Sequence, residues 1–237
     1  MKNLNLVSFV GVDEQTALVD LDRISVSFVT GFNVEWSVLY SDSKSVTKNA
    51  RYPSYDFCKA FLERAAMTLY TQGSLHLCGT VIDRYLKQEP DVMALCKPAR
   101  RIQLNLNIHS YPDHEKLADD ILTVASNNGH HVILQQNKTK EKFMEVFMGK
   151  ANIAFSLLHD GSGGFGREIT EVVPPHPKHN TGYAGGIKPE NVSRIVELIE
   201  KNNPDNRPYY IDMESGIREN NIFSVEKCRQ VIQNLKL

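Results

Sequence analysis

The chain has 237 residues, with 27 Lys and Arg against 28 Asp and Glu and a formal net charge of −1. Hydrophobic content of 41% and charged content of 23% are those of a globular domain, and the basic residues are spread along the chain, which excludes an electrostatic footprint for nucleic acid. No apolar stretch approaches the roughly 20 residues of a membrane span, and "MKNLNLVSFVGVDEQ" lacks the cleavage site of a signal peptide.

In chain order, the predicted strands are "LVSFVG" (6–11), "VEWSVLY" (34–40), "SLHLCG" (74–79) and "IQLNLN" (102–107). They continue with "HVILQQ" (131–136), "IAFSLL" (153–158), "NTGYAG" (180–185) and "YYIDME" (209–214). Amphipathic segments lie between them. One opens at Ser54 as an N-cap, one stops at Gly129, and one carries Pro189 in its first turn with Val192, Ile195, Val196 and Ile199 at helical spacing. "SVEKCRQVIQNL" closes the chain. The segment 23–32 fits neither pattern and is left unassigned. Alternation of strand and helix implies parallel strands with crossover helices. Eight such units over residues 1–237 fit a single-domain (β/α)8 TIM barrel better than an open doubly wound sheet.

In a barrel the face under the helices must be apolar, so the opposite face points inward. This turns His76, Cys78, Gln103, Asn105, Asn107, Glu35, Ser37, Asp212 and Glu214 toward the barrel axis. Unpartnered polar groups in a packed core cost roughly 1–3 kcal/mol each. Polar groups converging from four strands therefore indicate a wet pocket at the barrel mouth, the alternative being an internal hydrogen-bond network. His76 and Cys78 share a face and could ligate a metal with a third group such as Glu35 or Asp212, but a hydrogen-bonding pair is the simpler account. His176 and His179 sit in a proline-stiffened surface connection. Cys58, Cys78, Cys96 and Cys228 form no C-x-x-C pair, which argues against a disulfide framework or structural zinc and for a reducing cytoplasm. The expectation is no metal and no cofactor.

Glycines follow the late strands. Gly185 and Gly186 lie in "YAGGIKPENV", Ser215 and Gly216 in "MESGIREN", and Gly161, Gly163, Gly164 and Gly166 in "HDGSGGFGR". Loops after strands 7 and 8 of (β/α)8 enzymes are the usual phosphate site, though such glycines also serve tight turns alone.

On these residues the chain resembles the phosphoribosylanthranilate isomerase family. The resemblance rests on Gly185, Gly186, Pro189, Asn191 and Val192 after strand 7, and on Asp212, Ser215 and Gly216 at strand 8. It extends to Gly163, Gly164, Gly166 and Arg167 after strand 6, and to Arg51 and Tyr52 after strand 2, where Asn49 replaces a serine. It implies a barrel that binds a phosphorylated small molecule and an Amadori-type conversion of an aminoaldose to an aminoketose. Gly185, Gly186, Ser215 and Gly216 would cradle the phosphate, Arg51 would hold a second anionic group, and the loop of Gly163 and Gly164 would close over the ligand.

The catalytic pair departs from the family. Val10 stands where the family has its base cysteine, and Glu214 where a small residue is usual. The family's acid, an Asp ending strand 6, is matched by His159, or by Asp160 if the register slips by one. Glu35, His76 and Glu214 are the candidate replacement bases. The reading is an isomerase with an altered acid–base pair, or a non-catalytic ligand-binding or regulatory barrel. Either is expected to be cytoplasmic, a monomer or homodimer, with no nucleic-acid or membrane partner.

Overall fold

The structure is a computed structural model that describes residues 2–27, 31–43, 50–161 and 166–235. Eight parallel strands, each hydrogen-bonded to the next and the last to the first, close a barrel. They are β1 (Leu4–Val10), β2 (Asn33–Tyr40), β3 (Gln72–Cys78), β4 (Ile102–Asn105), β5 (Val132–Gln136), β6 (Phe155–Asp160), β7 (Asn180–Ala184) and β8 (Tyr209–Met213). The helices are α1 (Leu18–Ser27), α2 (Tyr55–Met67), the short pair α3 (Val81–Leu86) and α4 (Pro90–Cys96), then α5 (His114–Asn128), α6 (Glu141–Lys150), α7 (Val192–Lys201) and α8 (Val225–Leu235). The (β/α)8 expectation is therefore met. Among the described residues, the β6–β7 connection carries no helix. No helix among them is long and apolar enough to cross a membrane.

Local chemistry explains the helix ends. Ser54 and Asp113 accept hydrogen bonds from Phe57 N and Lys116 N, each satisfying an N–H that the first turn leaves over. Gly129 ends α5 at φ 65°, a left-handed position that costs glycine little. Several boundaries differ from expectation: β1 and β3 begin two residues earlier, and β4 ends two residues earlier. β6 begins two residues later than the apolar run suggested. α7 begins at Val192, so Pro189 belongs to the preceding turn. The unassigned 23–32 segment contributes its first part to α1, while residues 28–30 lie outside the described residues.

Trp36, Val38, Leu75, Leu77, Ile102, Leu104, Ile211 and Met213 join the apolar layer beneath the helices, so the facing assigned to β2, β3, β4 and β8 holds. Asn107 is an exception. β4 ends at Asn105, and Asn107 is exposed at the start of a single 3-10 turn. Inside the barrel, Leu6, Ile133, Leu158 and Tyr210 form a small apolar cluster. Below it, toward the N-terminal ends of the strands, the filling is ionic. Arg101 donates to both oxygens of Glu35 at 2.7 and 2.9 Å and lies 4.2 Å over the Tyr210 ring. Ser156 Oγ, 3.5 Å from Arg101, also meets His131 Nε2 at 2.8 Å and Asn180 Nδ2 at 3.2 Å.

Tyr210 fits across the barrel only because β7 carries Gly182: a Cβ there would lie 2.1 Å from Tyr210 Cζ. Gly182→Ala is expected to force the ring aside and cost about 1–3 kcal/mol of overpacking, read as a lower urea midpoint with unchanged m-value.

Candidate active site

At the C-terminal ends of the strands the barrel opens into a cavity of about 570 Å³. Its floor comes from β3 and β4, where the parallel register sets His76 beside Gln103 and Cys78 beside Asn105. Gln103 Nε2 donates to Asn105 Oδ1 at 2.7 Å, and Asn105 Nδ2 to Cys78 Sγ at 3.0 Å. Among the described residues, His76 Nε2 and Gln103 Oε1 are buried without a hydrogen-bond partner, and both residues line the cavity. Burial, reinforced by Arg101 and Arg51, pushes the His76 imidazole down to about 3, so it is neutral at pH 7. Burial pushes the Cys78 thiol up to about 11 despite the opposing Asn105 hydrogen bond, which keeps it protonated.

The walls bring carboxylates together. Asp160 ends β6 facing inward and lines the cavity, while its neighbour His159 faces outward and stacks on Tyr183 with ring centroids 5.6 Å apart. Alternation along the strand separates the two. Asp160 pairs in register with Ala184, and Ala184 with Asp212, so the two aspartates share one row two strands apart. At the usual strand spacing this puts their backbones about 10 Å apart. Burial raises the Asp212 carboxyl to about 7, against smaller opposing effects of Ser8 and Arg101. Val10, at the end of β1, lines the same cavity.

Glu35 does not reach this mouth. It is locked to Arg101 at the other end of the barrel and lines a separate cavity there. Glu214 lines the mouth but is held by Arg51, whose Nη2 donates to Oε2 at 2.6 Å while Nε lies against Oε1. The Arg51 fork expected to face a ligand anion is thus occupied by a carboxylate of the chain. His176 and His179 stack on each other at 4.7 Å and take no part in lining this cavity. Among the described residues no three His, Cys, Asp or Glu side chains gather into a metal site.

Three loops meet at the far wall. Gly185 and Gly186 have φ 130° and 57°, conformations that disfavour side chains. A Cβ on Gly186 would lie within 2.8 Å of the Gly166 and Glu168 backbone, and one on Gly216 would lie 2.0 Å from the Ile187 carbonyl oxygen. Asn191 fastens the turn, donating to Gly186 O at 2.9 Å and accepting from Lys188 N at 2.9 Å. A bulky residue at Gly186 would therefore displace the neighbouring loop, so it is not a clean probe of ligand contact. Ser215, which opens a short 3-10 turn after β8 (Ser215–Ile217), is exposed at the rim. Gly163 and Gly164 lie outside the described residues.

Several residues at or beside the mouth escaped the sequence reading. Arg218 and Asn221 line it from a small hairpin, β9 (Arg218–Glu219) and β10 (Ile222–Phe223). Asn220 and Asn221 form its tip with φ 50° and 62°, and an Asn-Asn pair before an apolar residue is a legible hairpin signal. Arg218 ties this hairpin to the β1 loop through Gly11 O at 2.8 Å and Asp13 at 3.2 Å. Gln135 also lines the mouth. Buried Lys140 donates to Gln135 Oε1 at 2.7 Å, and burial lowers its ammonium to about 8 against the nearby Asp160. Nothing in the local sequence marks Lys140 as buried.

Comparison with known proteins accords with this architecture. The sequence model of the N-(5'phosphoribosyl)anthranilate (PRA) isomerase family matches residues 114–234. The N-(5'-phosphoribosyl)anthranilate isomerase of Lacticaseibacillus casei (strain BL23) is 29% identical over 108 residues, covering 44% of this chain and 51% of that protein. The Methanococcus aeolicus protein of the same name is 30% identical over 103 residues, or 42% of this chain and 45% of its own. The matched region thus spans about half the length of these relatives. Among solved structures, phosphoribosyl anthranilate isomerase from Thermotoga maritima superposes with a TM-score of 0.57 at 16% identity, covering 98% of this chain and 99% of that one. The tryptophan synthase alpha subunit from Legionella pneumophila does so at 0.58 and 12% identity, covering 98% and 93%. At such identities the structures speak to the fold alone. The family match covers just over half of the sequence, and the chain belongs to the N-(5'-phosphoribosyl)anthranilate isomerase family.

Proposed function

We propose that this barrel binds a phosphorylated amino sugar and isomerises it from aldose to ketose, with Asp160 as general acid and Asp212 as general base. The observation that carries the reading is the shared row of Asp160 and Asp212 on the cavity wall, with Asp212 titrating near neutrality. An Amadori rearrangement needs an acid to protonate the ring oxygen and a base to take the proton from C2, and a base is most effective when its pKa lies near the working pH. Asp212 meets that requirement from the strand next to Val10, so it can act in place of a cysteine on β1. The phosphate rests on backbone N–H groups of the turns at Gly185, Gly186, Ser215 and Gly216, beside the short helical turn after β8, as (β/α)8 barrels commonly arrange. His76 and Gln103 orient the sugar hydroxyls from the floor. The chain works in the cytoplasm as a monomer or homodimer, without nucleic acid or membrane.

The test begins with binding. Ligand stabilises the folded state in proportion to the logarithm of its concentration over Kd. Ribose 5-phosphate is expected to raise the melting temperature of the wild type, and Ser215→Glu, which sets a carboxylate at an exposed rim position, is expected to abolish that rise while the variant stays folded. Equal shifts in both proteins would remove the phosphate from this wall.

Val10 supports a second reading, a binding barrel without turnover, because valine cannot accept a proton. Val10→Cys discriminates between them. If Asp212 is the base, the wild type already turns over an N-substituted aminoaldose phosphate. If activity appears only after the cysteine is installed, the binding barrel is correct.

A further inference from the structure

Arg51 and Glu214 face each other at the mouth of the cavity, and both line it. Nη2 of the guanidinium donates to Glu214 Oε2 at 2.6 Å and Nε lies against Oε1 as an ion pair, so both carboxylate oxygens sit on the side of the guanidinium with which arginine recognises free carboxylates. Among the described residues, the other guanidinium lining the cavity is also taken: Arg218 is bound to Asp13 and to Gly11 O. Both arginines are thus neutralised by carboxylates of the chain.

We infer that Glu214 is a specificity-determining residue that supplies from within the protein the carboxylate a ligand would otherwise bring to Arg51, so that the substrate is a phosphorylated amino sugar whose N-substituent carries no anionic group. The inference rests on the phosphate reading above and deepens it. A ligand carboxylate approaching Arg51 would have to displace Glu214, leaving that side chain in the cavity without its cation, or sit beside a second negative charge on the same guanidinium. Either arrangement penalises an anionic substituent relative to a neutral one of the same shape. A small residue at position 214 removes this competitor for the Arg51 guanidinium. Burial pushes the Glu214 carboxyl up, while Arg51 and Arg218 both favour its ionised form, and the contact with Arg51 sets this carboxylate against the guanidinium.

The experiment compares two stable ligands by calorimetry: N-phenyl-1-amino-1-deoxyribitol 5-phosphate and its 2-carboxyphenyl counterpart. The wild type is expected to bind the compound with the uncharged N-phenyl substituent about tenfold more tightly. Glu214→Ala is expected to reverse the order, and Glu214→Gln, which keeps the shape and removes the charge, to abolish the preference. A wild type that prefers the carboxylated compound, or a preference unchanged in both variants, overturns the inference. Benzoate provides an arm independent of phosphate, read from the Arg51 Nε–H resonance by NMR. Benzoate that perturbs Arg51 in Glu214→Ala but not in the wild type supports the assignment even if neither phosphorylated ligand binds, in which case the phosphate reading alone has failed. Equal perturbation in wild type and variant overturns it.

Discussion

Asp212→Asn is expected to lower turnover of an aminoaldose phosphate by about 10²–10⁴-fold, the usual contribution of a positioned acid or base, with ligand binding retained. The amide is nearly isosteric and still hydrogen-bonds, but it cannot take the C2 proton. The wild-type carboxyl titrates at about 7 because it is buried. As a base it must be ionised, so kcat/KM should rise with pH through about 7 and then level on that limb. The Asp212→Asn variant has no such titration, and its residual rate should lose the ascending limb. Stability carries the same signature with the opposite sense. A carboxyl whose pKa is raised on folding, from an unfolded value of roughly 3.9, stabilises the native state below that value and loses the contribution as pH climbs through about 7. The wild type should therefore become less stable between about pH 4 and 7 relative to Asp212→Asn, measured as the difference between their urea midpoints across that range. An ascending limb that persists in the variant would assign the titration to another group.

Glu35→Ala is expected to be the most damaging substitution for the fold. Glu35 and Arg101 are both buried and pair through two hydrogen bonds. Removing the acid leaves a buried guanidinium with a 3.5 Å contact to Ser156, the Tyr210 ring and the charge of Asp212, but without the carboxylate that pairs with it directly. Breaking a buried pair in this way costs about 3–5 kcal/mol, which for a chain of this size corresponds to a fall in Tm of roughly 10 °C. Replacing both partners with apolar side chains of similar volume should recover most of the loss, because no charge is then stranded. The fraction that remains folded should keep its kcat, since Glu35 lies in the ionic layer at the N-terminal ends of the strands. A large fall in kcat with unchanged stability would return Glu35 to the list of catalytic candidates.

The contrast between Glu35 and Asp212 shows what was legible in the sequence and what was not. Alternation of apolar and polar residues predicted correctly that both point into the barrel, because the outer face of every strand is constrained by the helices packed on it. Depth along the barrel axis is not encoded in alternation. It depends on the stagger between strands, which puts Glu35 beside Arg101 and Asp212 at the mouth. The same limit explains β6, where a two-residue error in the strand's start left His159 and Asp160 unresolved until pairing with β7 set the register. Contacts between distant loops were less accessible still. Arg51 and Glu214 are 163 residues apart, and no local pattern at either position announces the pair. The glycine turns were legible as sequence, but their dual use was not: Gly186 and Gly216 are demanded by loop-against-loop packing whether or not an anion is bound. Lys140, buried against Gln135 in a polar stretch, shows how little propensity says about a long side chain folded back into a pocket.

Exchange with solvent gives the most direct measurement of the proposed chemistry. If Asp212 removes the C2 proton and the resulting enaminol is reprotonated at C1, incubation of an N-substituted aminoaldose 5-phosphate with the protein in D2O should yield the 1-amino-1-deoxyketose 5-phosphate with deuterium at C1, followed by NMR, and Asp212→Asn should slow it by at least about a hundredfold. Binding of the same compound by the wild type without deuterium uptake and without ketose would contradict an isomerase and leave a barrel that holds its ligand unchanged.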